Sequence, residues 1–421
     1  MRVRVPGLTI AAGAVSRTEM RTFRADWSTA DLVELGHDLT LPEPPGPRAE
    51  AAVVFTSGAT GPAKGVVYRH GQLEAQRDAL TATYGITGSD ALVAAFAPWA
   101  VLGPALGIAS AVPEMKATSA GSLEAQALAD AAAAVDATLV WASPAALTSV
   151  LATADALDAR GRAALGRIRT LMSAGAPVPA PLLRRVLALM PAASAHTPYG
   201  MTEALPVADI DLEGIEAAGD GDGVCVGHPI AGVQVRVSPL DAEGDADGEL
   251  TAEPGVVGEI CVCAAHVKDR YDRLYATERD SSRNPGWHRT GDVGHLDDEG
   301  RLWVEGRLVH VIVTADGVVT PVGVEHRVQH LDRVRLAAAV GVGPRGTAQV
   351  VVVVETAGDG RAAGPAPLEL TSEVREAAGV PVAAVLTIPR LPVDARRNSK
   401  IDRTLVARWA EALLAGRRSG H

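Results

Sequence analysis

Between residues 51 and 200, short apolar runs alternate with segments whose apolar positions recur every three or four residues. AAVVF (51–55), ATLVW (137–141) and IRTLM (168–172) read as strands, the first of them short and buried. GQLEAQRDALTATYG (71–85) has Leu73, Ala75, Ala79 and Leu80 at helical spacing; SLEAQALADAAAA (122–134), PAALTSVLATA and PLLRRVLALM (181–190) are also predicted helices. Strands alternating with helices predict a parallel, doubly wound sheet whose functional loops lie at the carboxyl ends of the strands. From about 222 to 305 the period changes to two, in VQVRV, GEICVCA and GRLWVEG, which predicts antiparallel strands with turns such as Asp298-Glu299-Gly300. Beyond Arg307 a small αβ unit is expected. It comprises a hairpin around Ala315-Asp316-Gly317, a strand at 348–355, a loose TAGDGRAAGPAP segment, a helix near 368–378, the strand AAVLTIP and a final helix from about 401.

The expected class is therefore α/β in two domains. Residues 1–305 form a large domain, divided into 1–50 (a partial first layer and linker), a doubly wound part at 51–221 and a β-rich part at 222–305. Residues 306–421 form a small C-terminal α+β domain, with the boundary near Gly306.

The stretch Ala91–Pro113 carries no charge over a length that could cross a bilayer. Pro98, Pro104 and Pro113, with Gly103 and Gly107, break any continuous helix, and no basic cluster flanks it. A buried strand, a turn and a small-residue helix beside an apolar pocket are predicted there, and no transmembrane segment. With 421 residues, 47% apolar and 21% charged, the chain is neither a disordered tail, a collagen nor a long coiled coil. A net charge of −11 without a basic tract sets nucleic-acid binding aside. Cys225, Cys261 and Cys263 make no disulfide framework, and no His/Cys cluster has zinc spacing, so a cytoplasmic protein is expected. The 39 basic residues include only four lysines, Lys64, Lys116, Lys268 and Lys400. A biased codon usage explains the arginines; a lysine retained against it marks a place where a planar guanidinium would not serve.

Two of those lysines lie in motifs. Thr56-Ser57-Gly58-Ala59-Thr60-Gly61-Pro62-Ala63-Lys64-Gly65 directly follows a predicted strand. Glycines and small hydroxyls let backbone N–H groups approach an anion, and the lysine adds a mobile charge, which suits phosphate. It is not G-x-x-x-x-G-K-[ST], because Ala63 and Gly65 stand at the wrong positions. A plain flexible Gly/Ser loop is the alternative.

This segment resembles the phosphate loop of the adenylate-forming superfamily of acyl-CoA synthetases, luciferases and peptide-synthetase adenylation domains. Ser173-Ala174-Gly175-Ala176-Pro177 resembles the family's adenine-contacting turn, and Tyr199-Gly200-Met201-Thr202-Glu203 its Y-G-x-T-E motif. Trp287-His288-Arg289-Thr290-Gly291-Asp292 resembles its T-G-D segment, Gly306-Arg307 its hinge, and Asn398-Ser399-Lys400-Ile401-Asp402-Arg403 its terminal lysine motif. The resemblance implies ATP and Mg²⁺ as cofactors. Thr56, Ser57, Gly58, Thr60, Gly61 and Lys64 would hold the β- and γ-phosphates, and Thr202 would hydrogen-bond a phosphate. Glu203 would bind Mg²⁺, and Gly175, Ala176, Pro177, Tyr199 and Gly200 would line the adenine pocket. Asp292 would accept the ribose hydroxyls with Arg307 beside it, and Lys400 would swing in on the small domain to stabilise developing charge. Singly, Asp292 reads rather as a turn cap, Glu203 as a solvated acid and Lys400 as half of an ion pair with Asp402; the motifs taken together reverse that.

Two departures narrow the resemblance. Alanine (Ala100) stands where acyl-CoA synthetases have a tunnel-gating histidine, and Gly306-Arg307-Leu308-Val309 has valine at the polar hinge position. Both are similar to the β-lactone synthetases of bacterial olefin biosynthesis, as are Leu102-Gly103-Pro104-Ala105-Leu106-Gly107 and Pro392-Val393-Asp394-Ala395-Arg396-Arg397-Asn398. That likeness implies adenylation of a long-chain 2-alkyl-3-hydroxy fatty acid, followed by attack of its own 3-hydroxyl. It also implies olefin-pathway partners, including a hydrolase. The family places a longer stretch before its phosphate loop, so 1–50, with Leu41-Pro42-Glu43-Pro44-Pro45-Gly46-Pro47 as linker, is read as the tail of that region. An acyl-CoA synthetase and a truncated, non-catalytic nucleotide-binding homologue stay open as alternatives.

Overall fold

The computed structural model describes residues 10–11, 15–37, 39–40, 43–56, 62–116, 119–356, 362–393 and 401–417. The chain divides into two compact units, Met1–Gly46 and Pro47–His421. In the first, strands Ile10–Ala11 and Trp27–Ser28 pair in parallel. Its helices Arg17–Phe23 and Thr29–Gly36 each begin with a reciprocal cap, Ser16 with Glu19 and Ser28 with Asp31.

The second unit holds the expected parallel sheet. Its five strands, all parallel, run in the order Ala109–Ala111, Ala91–Ala94, Leu139–Ala142, Thr170–Ser173, Ser194–His196. Helices Ala125–Ala134, Pro144–Ala152 and Ala180–Leu187 pack their apolar stripes on it, burying Leu128, Leu147, Leu171 and Leu183 completely. The uncharged stretch forms the strand Ala91–Ala94, a 3₁₀ turn Ala97–Val101, a short helix Leu102–Ala105 and the strand Ala109–Ala111. Among the described residues no helix is long and apolar enough to cross a membrane.

One strand expectation is corrected. Glu50–Phe55 is not a buried strand of the parallel sheet. It pairs antiparallel with Gly65–Arg69, which in turn pairs with Arg270–Tyr271. Val53, Val54 and Phe55 are exposed on this edge strand, whereas Val66, Val67 and Tyr68 behind it are buried. A short apolar run does not distinguish the two situations.

The antiparallel sheet also starts earlier than residue 222. Its seven strands follow the order Tyr199–Met201, Ala204–Asp209, Val224–Pro229, Leu302–Arg307, His288–Leu296, Gly258–Cys263, Gln234–Pro239. The C-terminal part contains the predicted hairpin, Ile312–Thr314 with Gly317–Val319, and a four-stranded sheet. The run Gln349–Thr356 is apolar at consecutive positions because both faces are covered. Val350, Val352 and Val354 meet helices Pro321–Gln329 and Leu368–Ala378, while Val351 and Val353 meet the final helix Arg403–Leu414. The helix Pro321–Gln329 and the strand Val334–Val342 were not anticipated.

Candidate active site

The loops at the carboxyl ends of the parallel strands open on one large cleft of about 2500 Å³. Phe96, Ser143, Gly175 and Thr197, each just beyond a different strand, contribute to its wall. So do Thr56, Lys64, Ala176, Pro177, Tyr199, Gly200, Thr202, Glu203, Asp292 and Arg307. Segments far apart in sequence thus converge on a single surface. Ser57, Gly58, Thr60, Gly61 and Lys400 lie outside the described residues.

Asp292 organises one end. It is register partner of Arg307 in the antiparallel sheet, and Arg307 Nε lies 2.8 Å from its Oδ1. The Tyr199 hydroxyl donates to Oδ2 at 2.7 Å. Burial, with Asp292 beside it, drives the Tyr199 phenol well above its ordinary pKa, so it remains a donor. Tyr199 therefore meets the Asp292 carboxylate directly, a contact the motif did not convey. Each carboxylate oxygen retains acceptor capacity, so diol hydroxyls can be added.

The strand segment carrying Asp292 is held from below by Glu259. Its Oε1 accepts the Gly291 N–H at 3.0 Å, and its Oε2 accepts Arg289 Nε at 2.8 Å, in a pair that is almost fully buried. Gly291 sits at φ +73°, in the left-handed region that glycine enters without strain. Thr290 Oγ1 donates to Ile260 O and accepts the Asp292 N–H.

Glu203 occupies the tight connection between Tyr199–Met201 and Ala204–Asp209 and is buried. Tyr271 donates to its Oε1 at 2.6 Å. Burial and Glu203 push the Tyr271 phenol up. The Tyr68 hydroxyl donates to Thr202 O at 2.6 Å, pinning the neighbouring residue. Lys64 Nζ stands 5.2 Å from the Tyr271 ring centre and Lys268 Nζ 4.3 Å. Lys268 is itself buried and paired with Glu278 at 2.6 Å. Lys64 is fixed at its backbone by reciprocal bonds with Thr56, at the mouth of the hairpin.

Sequence reasoning missed Glu259, Tyr271 and Lys268. The scarcity of lysine was a signal for Lys268, but no motif contains it. Glu259 and Tyr271 left no signal, since they act only through residues distant in sequence. His288, in the T-G-D segment, is buried with Nδ1 unpartnered among the described residues. Burial, then Lys268 and Lys64, hold its pKa down to about 3.

The cleft continues into an apolar end. Trp99 stacks on Trp141 with ring centres 4.6 Å apart, and Val101, Leu102 and Leu106 extend that wall. At the opposite rim, Glu325 holds Arg403 and the Ala339 N–H. Val393 and Ile401 bridge the two ends of the segment that bears Lys400, and Ile401 lines the cleft.

Comparison with known proteins agrees with this arrangement. Residues 3–271 match the family described as AMP-binding enzyme. The chain is 37% identical over 382 residues to an olefin β-lactone synthetase of Xanthomonas campestris pv. campestris, covering 86% of this chain and 66% of that protein. It is 37% identical over 385 residues to an olefin β-lactone synthetase of Stenotrophomonas maltophilia, covering 87% and 68%. The chain thus spans about two thirds of the length of these relatives. Among solved structures, the amide bond synthetase McbA of Marinactinospora thermotolerans superposes with TM-score 0.72 at 24% identity, over 97% of this chain and 76% of that one. O-succinylbenzoate coenzyme A synthetase of Bacillus subtilis, in complex with ATP and magnesium ion, gives 0.67 at 21% identity, over 94% and 78%. These two likenesses establish the fold.

Two outcomes are expected. Glu259→Gln strands a buried guanidinium and should cost about 3–5 kcal/mol in urea unfolding at pH 7; near-native stability would contradict its supporting role. His288 binds its proton more readily unfolded, so stability should fall as pH drops from about 6.5 towards 3, by on the order of 1 kcal/mol per unit. His288→Phe should remove that component and flatten the profile of melting temperature against pH. Parallel profiles for the two proteins would show that His288 is protonated in the folded state.

Proposed function

The chain belongs to the AMP-binding enzyme family, and from that premise we propose that it is an ATP-dependent ligase forming a β-lactone from a long-chain 2-alkyl-3-hydroxy fatty acid. The observation that carries this reading is one cleft with an ionic end, Lys64, Glu203, Asp292 and Arg307, continuous with an apolar end walled by Trp99, Val101, Leu102 and Leu106. The ionic end suits a nucleotide triphosphate and the apolar end suits alkyl chains.

The residues fit the nucleotide chemically. Ser173 Oγ and His310 Nδ1, on residues of the cleft wall, are buried without a partner among the described residues, polar atoms that a ligand can satisfy. Asp292 would accept the ribose hydroxyls while Arg307 and Tyr199 hold it in place. Lys64, with Thr56, Ser57, Gly58, Thr60 and Gly61, would bind the leaving phosphates. Gly175, Ala176, Pro177 and Gly200 would border the base. Glu203 would hold Mg²⁺ through a carboxylate oxygen beside the phosphates. When bound, Mg²⁺ would neutralise phosphate charge.

In the first step a carboxylate oxygen of the acid attacks the α-phosphorus, and the bond to the β-phosphate oxygen breaks to release pyrophosphate. Lys400 would stabilise the charge developing there. In the second step the 3-hydroxyl oxygen attacks the acyl carbon and loses its proton, and the bond to AMP breaks. Both reacting groups belong to one molecule, so proximity replaces an external acceptor. Ala100, packed beside the Trp99–Trp141 stack, and Val309, 79% exposed beyond Gly306-Arg307, support this over thioester formation. The names of the two curated relatives support it as well.

Lys400→Ala is expected to cut adenylation, read by pyrophosphate release, about 10²–10³-fold while leaving ATP binding within a few-fold. Equal loss of both would refute its role. Incubation with Mg-ATP and a 2-alkyl-3-hydroxy fatty acid, followed by NMR, should give a β-lactone and AMP whether or not CoA is added. Acyl-CoA formed only with CoA would move the assignment to an acyl-CoA synthetase, and no AMP from folded protein would identify a non-catalytic homologue.

A further inference from the structure

The helix Pro321–Gln329 and its capping residue place His326 and His330 four positions apart, one turn along the same face. Their rings lie 4.9 Å apart between centres. Facing them is Asp220, in the loop after helix Leu212–Ala218. One ligand atom from each of the three lies within 4.8 Å of the others, and Asp220 Oδ1 is 3.6 Å from His330 Nε2. Donors on a tetrahedral ion with bonds of about 2.0–2.1 Å stand about 3.3 Å apart, so closing the set needs only side-chain adjustment.

We propose that Asp220, His326 and His330 form a binding site for a divalent transition-metal ion of the zinc type, separate from the Glu203 site and on the rim of the same cleft. Two imidazoles and one carboxylate suit zinc or cobalt and disfavour Mg²⁺, which prefers an all-oxygen shell. Arg327, the nearby cation, is engaged by Asp222 and by Ala378 O. No zinc spacing was expected from the sequence because the third donor comes from a distant loop.

The backbone around the site is already braced. Arg327 pairs with Asp222, Gly323 packs against the Asp222 backbone, and Thr320 donates to Glu305 at 2.6 Å. Asp220 precedes Gly306-Arg307 and the two histidines follow it, so a bound ion would clamp the C-terminal part to the antiparallel sheet. This inference does not depend on the lactone chemistry.

The test uses the full chain after chelator treatment. Co²⁺ titration should show one equivalent with the visible bands of a four-coordinate nitrogen/oxygen site, without a thiolate charge-transfer band. Zn²⁺ should displace it, millimolar Mg²⁺ should not, and saturating Zn²⁺ should raise the melting temperature by about 2 °C or more. His330→Gln, at a largely exposed position, should keep the metal-free melting temperature and bind Co²⁺ at least about 30-fold more weakly. Asp220→Asn should weaken it in the same direction. Persistence of the bands in both variants, a thiolate band, or no Co²⁺ or Zn²⁺ binding below millimolar concentration would overturn the site.

Discussion

The position of the Asp292 carboxylate depends on a strand register, and the ionic end of the cleft depends on that carboxylate. Pairing Asp292 with Arg307 across adjacent strands sets a guanidinium beside it. A one-residue slip would turn one of the two side chains to the opposite face. Tyr199 comes from the edge of the same sheet, four strand spacings away. Laid flat that separation would be about 19 Å, yet its hydroxyl meets Asp292 at 2.7 Å. The sheet must therefore coil so that its edge approaches its middle, as strand twist allows.

Around this carboxylate the buried charges are satisfied in pairs. Glu259 balances Arg289 and at the same time holds the Gly291 N–H. Lys268 balances Glu278, whose carboxylate also accepts the Tyr271 N–H. Tyr271 passes that order on to Glu203. Such pairs gain little stability over apolar packing, but removal of one member leaves a buried charge, so they hold a geometry more than they strengthen the fold. The acids and bases that line the cleft are thus oriented before any ligand arrives, which electrostatic stabilisation of developing charge requires.

Polar contacts tie the C-terminal part to loops beside the antiparallel sheet, Arg327 with Asp222 and Arg345 with Asp245 and the Glu243 carbonyl. Within the C-terminal part, Arg403 bonds Glu325 in helix Pro321–Gln329, and Ile401 bridges Val393. Gly306, within the strand Leu302–Arg307, stands at φ +145° with Pro321 Cδ 3.1 Å from the position of an added Cβ, so the start of helix Pro321–Gln329 approaches that strand closely. A relatively apolar two-faced sheet and an ionic rim coexist because helices cover both faces of the valine run.

By itself the sequence determined the parallel sheet, its helices and a set of polar residues, Thr56, Lys64, Tyr199, Thr202, Glu203, Asp292 and Arg307, that meet in the cleft. Period and run length report local burial, and the quoted motifs are contiguous, so both are written along the chain. It misjudged AAVVF, because a two-sided buried strand and an exposed edge strand of five residues have the same pattern. It placed the change to antiparallel pairing at 222 where the strands begin at Tyr199, since Tyr199–Met201 is too short to show a period. Only the tertiary structure brought Glu259 under Gly291, Tyr271 onto Glu203, and Asp220 opposite His326 and His330. Each of these contacts joins residues whose separation along the chain carries no periodic signal, and only the packing of sheets, loops and helices makes them neighbours.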